Sequence, residues 1–198
     1  MIKIESLKDE DPYIKYKELY DLAYSKNQNQ IERILIASFD KESDTVNARY
    51  VNLKYILSDE WIFFSNYESV KAKEFSDHNQ ITVVSYWSSI DVQIRMKATI
   101  KKSSNEFSDK HFLLRSDEKN ALAISSLQSS PVSSYEDVKN KYELTLRSQN
   151  LNKRPSYWGG YSFTPFYFEF WTGHESRINY REVYKLNKNI WKKSFLNP

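Results

Sequence analysis

Residues 33–101 carry five short runs rich in β-branched and aromatic residues: RILIASF (33–39), VNARYVNLKYIL (46–57), EWIFFS (60–65), ITVVSYW (81–87) and DVQIRMKATIK (91–101). Their spacing is close to two residues, the period that sends alternate side chains to opposite faces of a strand. Asp, Asn and Ser punctuate the runs as turn formers. Only the break at 66–80 is long enough for a helix, which opens at Ser69 and ends near His78-Asn79. Strands this closely spaced predict an antiparallel barrel or sandwich. The alternating strand–helix units of a doubly wound parallel sheet are missing.

Outward from this block, 12–28 reads as a helix, with Asp11 as cap and Pro12 in its first turn. Tyr16, Leu19, Tyr20, Ala23 and Tyr24 recur there at helical spacing. Further helices are expected over 104–126 and 134–148, the latter opened by the capping-box pattern Ser134-Tyr-Glu-Asp137. Strands return at 161–171, 176–186 and 190–195. The Ser-rich stretch 126–134 is too short to divide the chain. Residues 1–198 therefore read as one unit, mainly β with flanking helices (α+β).

Composition removes whole classes of function. With no cysteine there is no disulfide framework, thiolate metal site or cysteine nucleophile, and a reducing cytosol suits the chain. No apolar run approaches the roughly 18 residues of a membrane span, and the N-terminus lacks a signal-peptide stretch, so a cytoplasmic protein without a membrane partner is expected. The 29 basic and 26 acidic residues alternate along the chain, without the concentrated basic face of a nucleic-acid binder. His78, His111 and His174 lack metal-ligand spacing, and no serine sits in a nucleophile elbow. The three glycines, Gly159, Gly160 and Gly173, all fall within fifteen positions, as expected where a side chain would clash.

What remains is a set of cations and aromatics. On a strand, Arg177, Asn179 and Arg181 would share one face, either neutralised by Glu175 or Glu182 or holding a phosphate or carboxylate. Arg49 and Lys54 are five apart in one run, so strict alternation sends them to opposite faces unless a bulge intervenes. Ser69-Val70-Lys71 places a hydroxyl and a lysine at a helix N-terminus, an anion-binding arrangement. Gln93, Arg95 and Lys97 share a strand face, and the Gln93 amide can both donate to and accept from a heterocycle edge. This inventory suits a phosphorylated aromatic cofactor.

The runs Arg154-Pro-Ser-Tyr-Trp-Gly-Gly-Tyr161, Phe168-Glu-Phe-Trp171-Thr-Gly173 and Ser176-Arg-Ile-Asn-Tyr-Arg181 closely resemble the signature of the pyridoxamine 5′-phosphate oxidase family. The resemblance extends from Asp11-Pro12 onward. It implies an antiparallel split β-barrel flanked by helices, and a homodimer with two FMN sites at the subunit interface. It also implies oxidation of pyridoxamine or pyridoxine 5′-phosphate to pyridoxal 5′-phosphate, with O2 as acceptor.

By the same resemblance, the FMN positions are Arg49, Tyr50, Val51, Asn52, Leu53, Lys54, Phe64, Ser65, Val70, Lys71, Gln93, Gln128, Ser129, Trp171 and Arg181. Arg49, Ser65, Lys71, Gln128 and Ser129 would contact the phosphate and ribityl chain, while Gln93, Trp171 and Arg181 would lie near the rings. Val70 stands where an arginine often supports the phosphate. Lys54, His111, Arg115, Lys119, Arg177 and Asn179 match substrate positions, and Arg177 and Asn179 also match catalytic ones. His111 replaces a usual tyrosine, Lys119 a serine and Asn179 a histidine. Lys119 and Asn179 favour a relative with another small phosphorylated or aromatic substrate, such as the phenazine-biosynthesis flavin oxidases. A non-catalytic split barrel that binds flavin, haem or pyridoxal phosphate is the remaining alternative.

Overall fold

A computed structural model describes all residues, Met1–Pro198. In chain order the elements are β1 (Lys3–Glu5), α1 (Asp11–Ser25), β2 (Arg33–Asp40), β3 (Thr45–Asn52), β4 (Tyr55–Leu57), β5 (Glu60–Asn66) and α2 (Val70–Asp77). There follow β6 (Gln80–Trp87), β7 (Val92–Lys102), α3 (Asn105–Leu113), α4 (Asp117–Ser125), α5 (Tyr135–Ser148), β8 (Trp158–Thr172), β9 (Tyr180–Asn187) and β10 (Ile190–Phe195).

One sheet takes in all ten strands, ordered β1-β4-β5-β8-β7-β6-β2-β3, with β9 and β10 branching from β8. Every pair is antiparallel except β1–β4. The long β8 carries β7 along one side. Its other side pairs with β5 over 158–163 and with β9 over 167–172, which splits the open barrel at that edge.

Two-residue alternation sends Ile34 and Ile36, Ile81 and Val83, and Ile94 and Met96 inward, where all are buried. Helix α1 plugs this core with Tyr13, Tyr16 and Tyr20; the Tyr16 ring lies 4.4 Å from Trp61 and 5.4 Å from Trp87. Each such buried aromatic contributes on the order of 1.5–3 kcal/mol.

Several expected boundaries move. The run 46–57 is two strands, because the chain turns a corner at Leu53–Lys54. There Leu53 N–H donates to Glu32 O at 2.8 Å, and Lys54 N–H donates to Ile62 O at 2.8 Å. The expected helix 104–126 is two helices, restarted at the N-cap Ser116 with Asp117 and Glu118 in the new first turn. Helix α1 begins at Asp11, with Glu10 as N-cap, and ends at Ser25; Asn27 is left-handed at φ 56°. The strand expected over 176–186 starts only at Tyr180, because Arg177 is left-handed at φ 59° and breaks extended geometry. The three-residue β1 carried no sequence signal. At Gly159 a Cβ would approach the Tyr67 hydroxyl to 2.2 Å, so glycine is required there by close packing and not by backbone freedom.

Candidate functional site

The corner at Leu53–Lys54, strand β5, the start of α2, the α3–α4 pair and the loop after α4 surround a cleft of about 740 Å³. Because the strand ends at Asn52, side-chain alternation restarts, and Arg49 and Lys54 both reach this cleft. Tyr50, Val51, Asn52, Phe64, Ser65, Val70, Lys71, Gln128 and Ser129 line it as well, as do His111, Arg115 and Lys119. Five lining residues are cations (Arg49, Lys54, Lys71, Arg115 and Lys119) and none is acidic. Such a concentration attracts an anion. Leu53 belongs instead to the core, fully buried.

At one end, the buried Lys71 ammonium donates to Ser65 Oγ (3.0 Å) and Ser69 Oγ (2.9 Å) at the N-terminus of α2. Burial, and secondarily the neighbouring Arg49, lowers the Lys71 pKa to about 8. Arg49 is held from behind by the buried Glu74 (Nη2–Oε2 2.8 Å), which also accepts from Asn47 Nδ2 at 2.9 Å and from Ser38. Gln128 Oε1 accepts from Ser65 Oγ (3.2 Å) and Asn66 N–H (3.3 Å), fixing the loop after α4 against β5.

The other end is aromatic. His111 stacks on Phe64 with ring centroids 3.7 Å apart, and Phe64 stacks on Trp158 at 5.3 Å. The Arg115 guanidinium lies over Trp158 at 4.2 Å, a cation–π contact. Its Nη2 donates to Lys119 O at 2.7 Å, while the buried Nη1 has no partner. An unpaired buried donor of this kind costs about 1–3 kcal/mol, which an arriving anion would relieve. Burial lowers Arg115 to about 10. His111 is lowered to about 4, by burial first and then by Arg115, Lys54 and Lys119. Trp158, Leu114 and Ser116 also line the cleft and were not singled out as site residues; only Trp158 had a signal, its place in the 154–161 run.

A second set of expected residues lies elsewhere. Gln93 on β7, Trp171 on β8 and Arg181 on β9 are direct cross-strand neighbours and form a row outside the cleft. Arg181 is paired with Glu169 (2.7 Å), and Arg95 takes that carboxylate's other oxygen. Neutralisation thus comes from Glu169 and not from Glu175 or Glu182. Glu182 is occupied by Lys15 at 2.7 Å and Lys193 at 3.0 Å. Arg177 and Asn179 sit in the β8–β9 loop and not on a shared strand face. Asn179 Oδ1 accepts from His174 N–H at 3.2 Å, and Arg177 is exposed. Within one chain, Arg49 and Lys71 do not converge with Arg181.

Residues 158–198 match a family model described as the pyridoxine 5′-phosphate oxidase C-terminal dimerisation region. The chain is 31% identical over 193 residues to pyridoxine/pyridoxamine 5′-phosphate oxidase 1 of Hydrogenovibrio crunogenus, covering 95% of this chain and 88% of that one. It is 34% identical over 155 residues to pyridoxine/pyridoxamine 5′-phosphate oxidase of Leptospira biflexa, covering 77% and 73%. Among solved structures, PhzG from Burkholderia lata 383, in complex with tetrahydrophenazine-1-carboxylic acid, aligns with a TM-score of 0.88 at 21% identity over 98% of this chain and 94% of that one. A pyridoxamine 5′-phosphate oxidase-related, FMN-binding protein from Nostoc punctiforme aligns at 0.76 with 13% identity, over 92% and 97%. At these identities the two structures establish likeness of fold, the split barrel.

Proposed function

Because this chain belongs to the pyridoxine/pyridoxamine 5′-phosphate oxidase family, we propose that it is an FMN-dependent oxidase. Its proposed reaction converts pyridoxamine or pyridoxine 5′-phosphate to pyridoxal 5′-phosphate, with O2 as acceptor. The observation that carries this reading is the cleft itself, with five cations, no carboxylate in its lining and an aromatic wall. The unpartnered Arg115 Nη1 and the Lys71 ammonium, held only by neutral hydroxyls, fit phosphorylated ligands.

FMN, when bound, would supply the two-electron chemistry that a protein side chain cannot. Lys71, Ser65 and Arg49, with Gln128 and Ser129 from the loop after α4, would hold its phosphate and ribityl chain, assisted by the N-terminus of α2. The Val70 side chain offers no donor there. Lys54, Arg115 and Lys119 would hold the substrate's anionic group. The stack of His111, Phe64 and Trp158 would orient an aromatic ring and exclude water.

The row Gln93–Trp171–Arg181 lies outside the cleft, so in this reading a second copy supplies it, together with Arg177 and Asn179 from its β8–β9 loop. The active form is then a homodimer, consistent with a family match described as a dimerisation region. Each copy is a single unit spanning 1–198, working in the cytoplasm; no helix is long and apolar enough to cross a membrane.

A second reading, an oxidase of the same family acting on a different anionic aromatic, is favoured by Asn179, whose side chain holds its own loop. Incubating the FMN-loaded protein with pyridoxamine 5′-phosphate in air and following the aldehyde's absorbance separates the two. Aldehyde formation supports the first reading. Loaded protein that forms none transfers support to the second, and protein that takes up no FMN defeats both.

A further inference from the structure

Among the cleft-lining residues, His111 is the one imidazole, and it shares the cleft with five cations. Its surroundings are set by every element packed on it. Phe64 of β5 covers one ring face at 3.7 Å, with Trp158 of β8 in the same stack. Tyr55 of β4 places its hydroxyl 2.8 Å from Nδ1. Lys54 at the corner, Arg115 before α4 and Lys119 on α4 add positive charge. Strand β1 brings Lys3 and Glu5 near Tyr55, but these are paired to each other at 2.8 Å. On α3 itself, Lys110 is paired with Glu106 at 2.6 Å. No carboxylate touches the ring, and Nε2 makes no hydrogen bond within the chain.

We propose that the Tyr55–His111 pair is a proton-linked latch for the substrate's anionic group, so that an anion seated beside Lys54, Arg115 and Lys119 binds together with one proton taken up by His111. The inference rests on the reading of those three cations as the substrate's anion end. Without an anion, the Tyr55 hydroxyl donates to Nδ1 and the ring is neutral, because a sixth positive charge in a half-buried cleft is unfavourable. An anion reverses that balance. The proton, drawn from water, goes to Nδ1, and the Tyr55 hydroxyl turns from donor to acceptor, which a rotating hydroxyl does without moving a heavy atom. His111 Nε2–H then faces the anion as a charged donor. A tyrosine at position 111 could not gain charge in this way, so the substitution makes substrate affinity depend on pH.

The test uses FMN-saturated protein and inorganic sulfate, which keeps two charges from pH 5 to 8. Ring-proton NMR titrations follow His78, His111 and His174, with His111 assigned by its disappearance in His111→Phe. We expect saturating sulfate to raise the His111 pKa by about two units, and its dissociation constant to tighten about tenfold from pH 7 to pH 5. His111→Phe, which keeps the stack, should bind sulfate with no such slope. Tyr55→Phe, which removes the acceptor for Nδ1–H, should show a smaller pKa rise. A His111 pKa unmoved by bound sulfate, or a pH slope retained in His111→Phe, overturns the latch alone. No sulfate binding at any pH overturns the assignment of the anion end, and the latch with it.

Discussion

His111 lies flat on Phe64, with ring planes within 10° of parallel and centroids 3.7 Å apart, so a titratable ring forms part of the cleft wall. With no anion bound, burial and then the positive charges of Arg115, Lys54 and Lys119 favour the neutral imidazole over the imidazolium. The folded chain therefore holds His111 well below its unfolded value, at about 4. Between roughly pH 6.5 and 4 the unfolded state binds the extra proton, so stability falls as pH falls through that window. Urea unfolding of the wild type should lose about 1–3 kcal/mol from this group between pH 7 and pH 4. His111→Phe should lose correspondingly less.

Lys71, also lowered by burial, sets a pH dependence in the alkaline range. With its pKa lowered to about 8, it is charged at neutral pH and loses its proton just above. A bound phosphate would favour the charged form, so FMN affinity should be level from about pH 7 to 8, where the phosphate is a dianion, and weaken as pH rises beyond it, by up to about tenfold per pH unit. Fluorescence titration of FMN checks this, and Lys71→Met should bind FMN more weakly with the dependence gone.

Separation of Lys71 from Arg181 within one chain yields a complementation experiment. If a second copy completes the site, Lys71→Met and Arg181→Ala damage different halves. Dimers formed by refolding the two variants together contain one intact site out of two. Random mixing should therefore restore about a quarter of wild-type activity, where each variant alone has little. Failure of the mixture to exceed its components would place both residues in the same half.

Glu74 has no access to the cleft but holds Arg49 and is itself tied to Ser38 and Asn47. Glu74→Leu leaves a partly buried guanidinium without its carboxylate, and breaking a buried pair of this kind costs about 3–5 kcal/mol. Thermal unfolding should show the loss. FMN should recover more of the midpoint in this variant than in the wild type, because its phosphate would supply the missing charge.

Gly159→Ala tests packing near the cleft. The new methyl would lie 2.2 Å from the Tyr67 hydroxyl and 2.7 Å from its Cζ, and Tyr67 is fixed by its bond to Gly160 O at 3.0 Å. Overpacking of this type costs about 1–3 kcal/mol, read as a lowered unfolding midpoint.

Strand and helix identities followed from the amino-acid sequence because they depend on periods of two and 3.6 residues, which are local. RILIASF, ITVVSYW and DVQIRMKATIK became β2, β6 and β7 within a residue or so, and Ser134 capped α5 through its bond from Asp137 N–H. The resemblance carried by 154–181 named most of the residues that line the cleft. Tertiary structure alone decided three matters. Leu53 N–H donated to Glu32 O, just before β2, and Lys54 N–H to Ile62 O of β5, which ended one ladder, began another and turned both Arg49 and Lys54 to the same side. Glu169, and not the sequence-adjacent Glu182, neutralised Arg181, since cross-strand register and not chain proximity sets which charges meet. Residues at 49, 71, 115 and 128 came together while Arg181 was placed apart, because convergence depends on how a sheet curls, and no local pattern in a chain records that curvature.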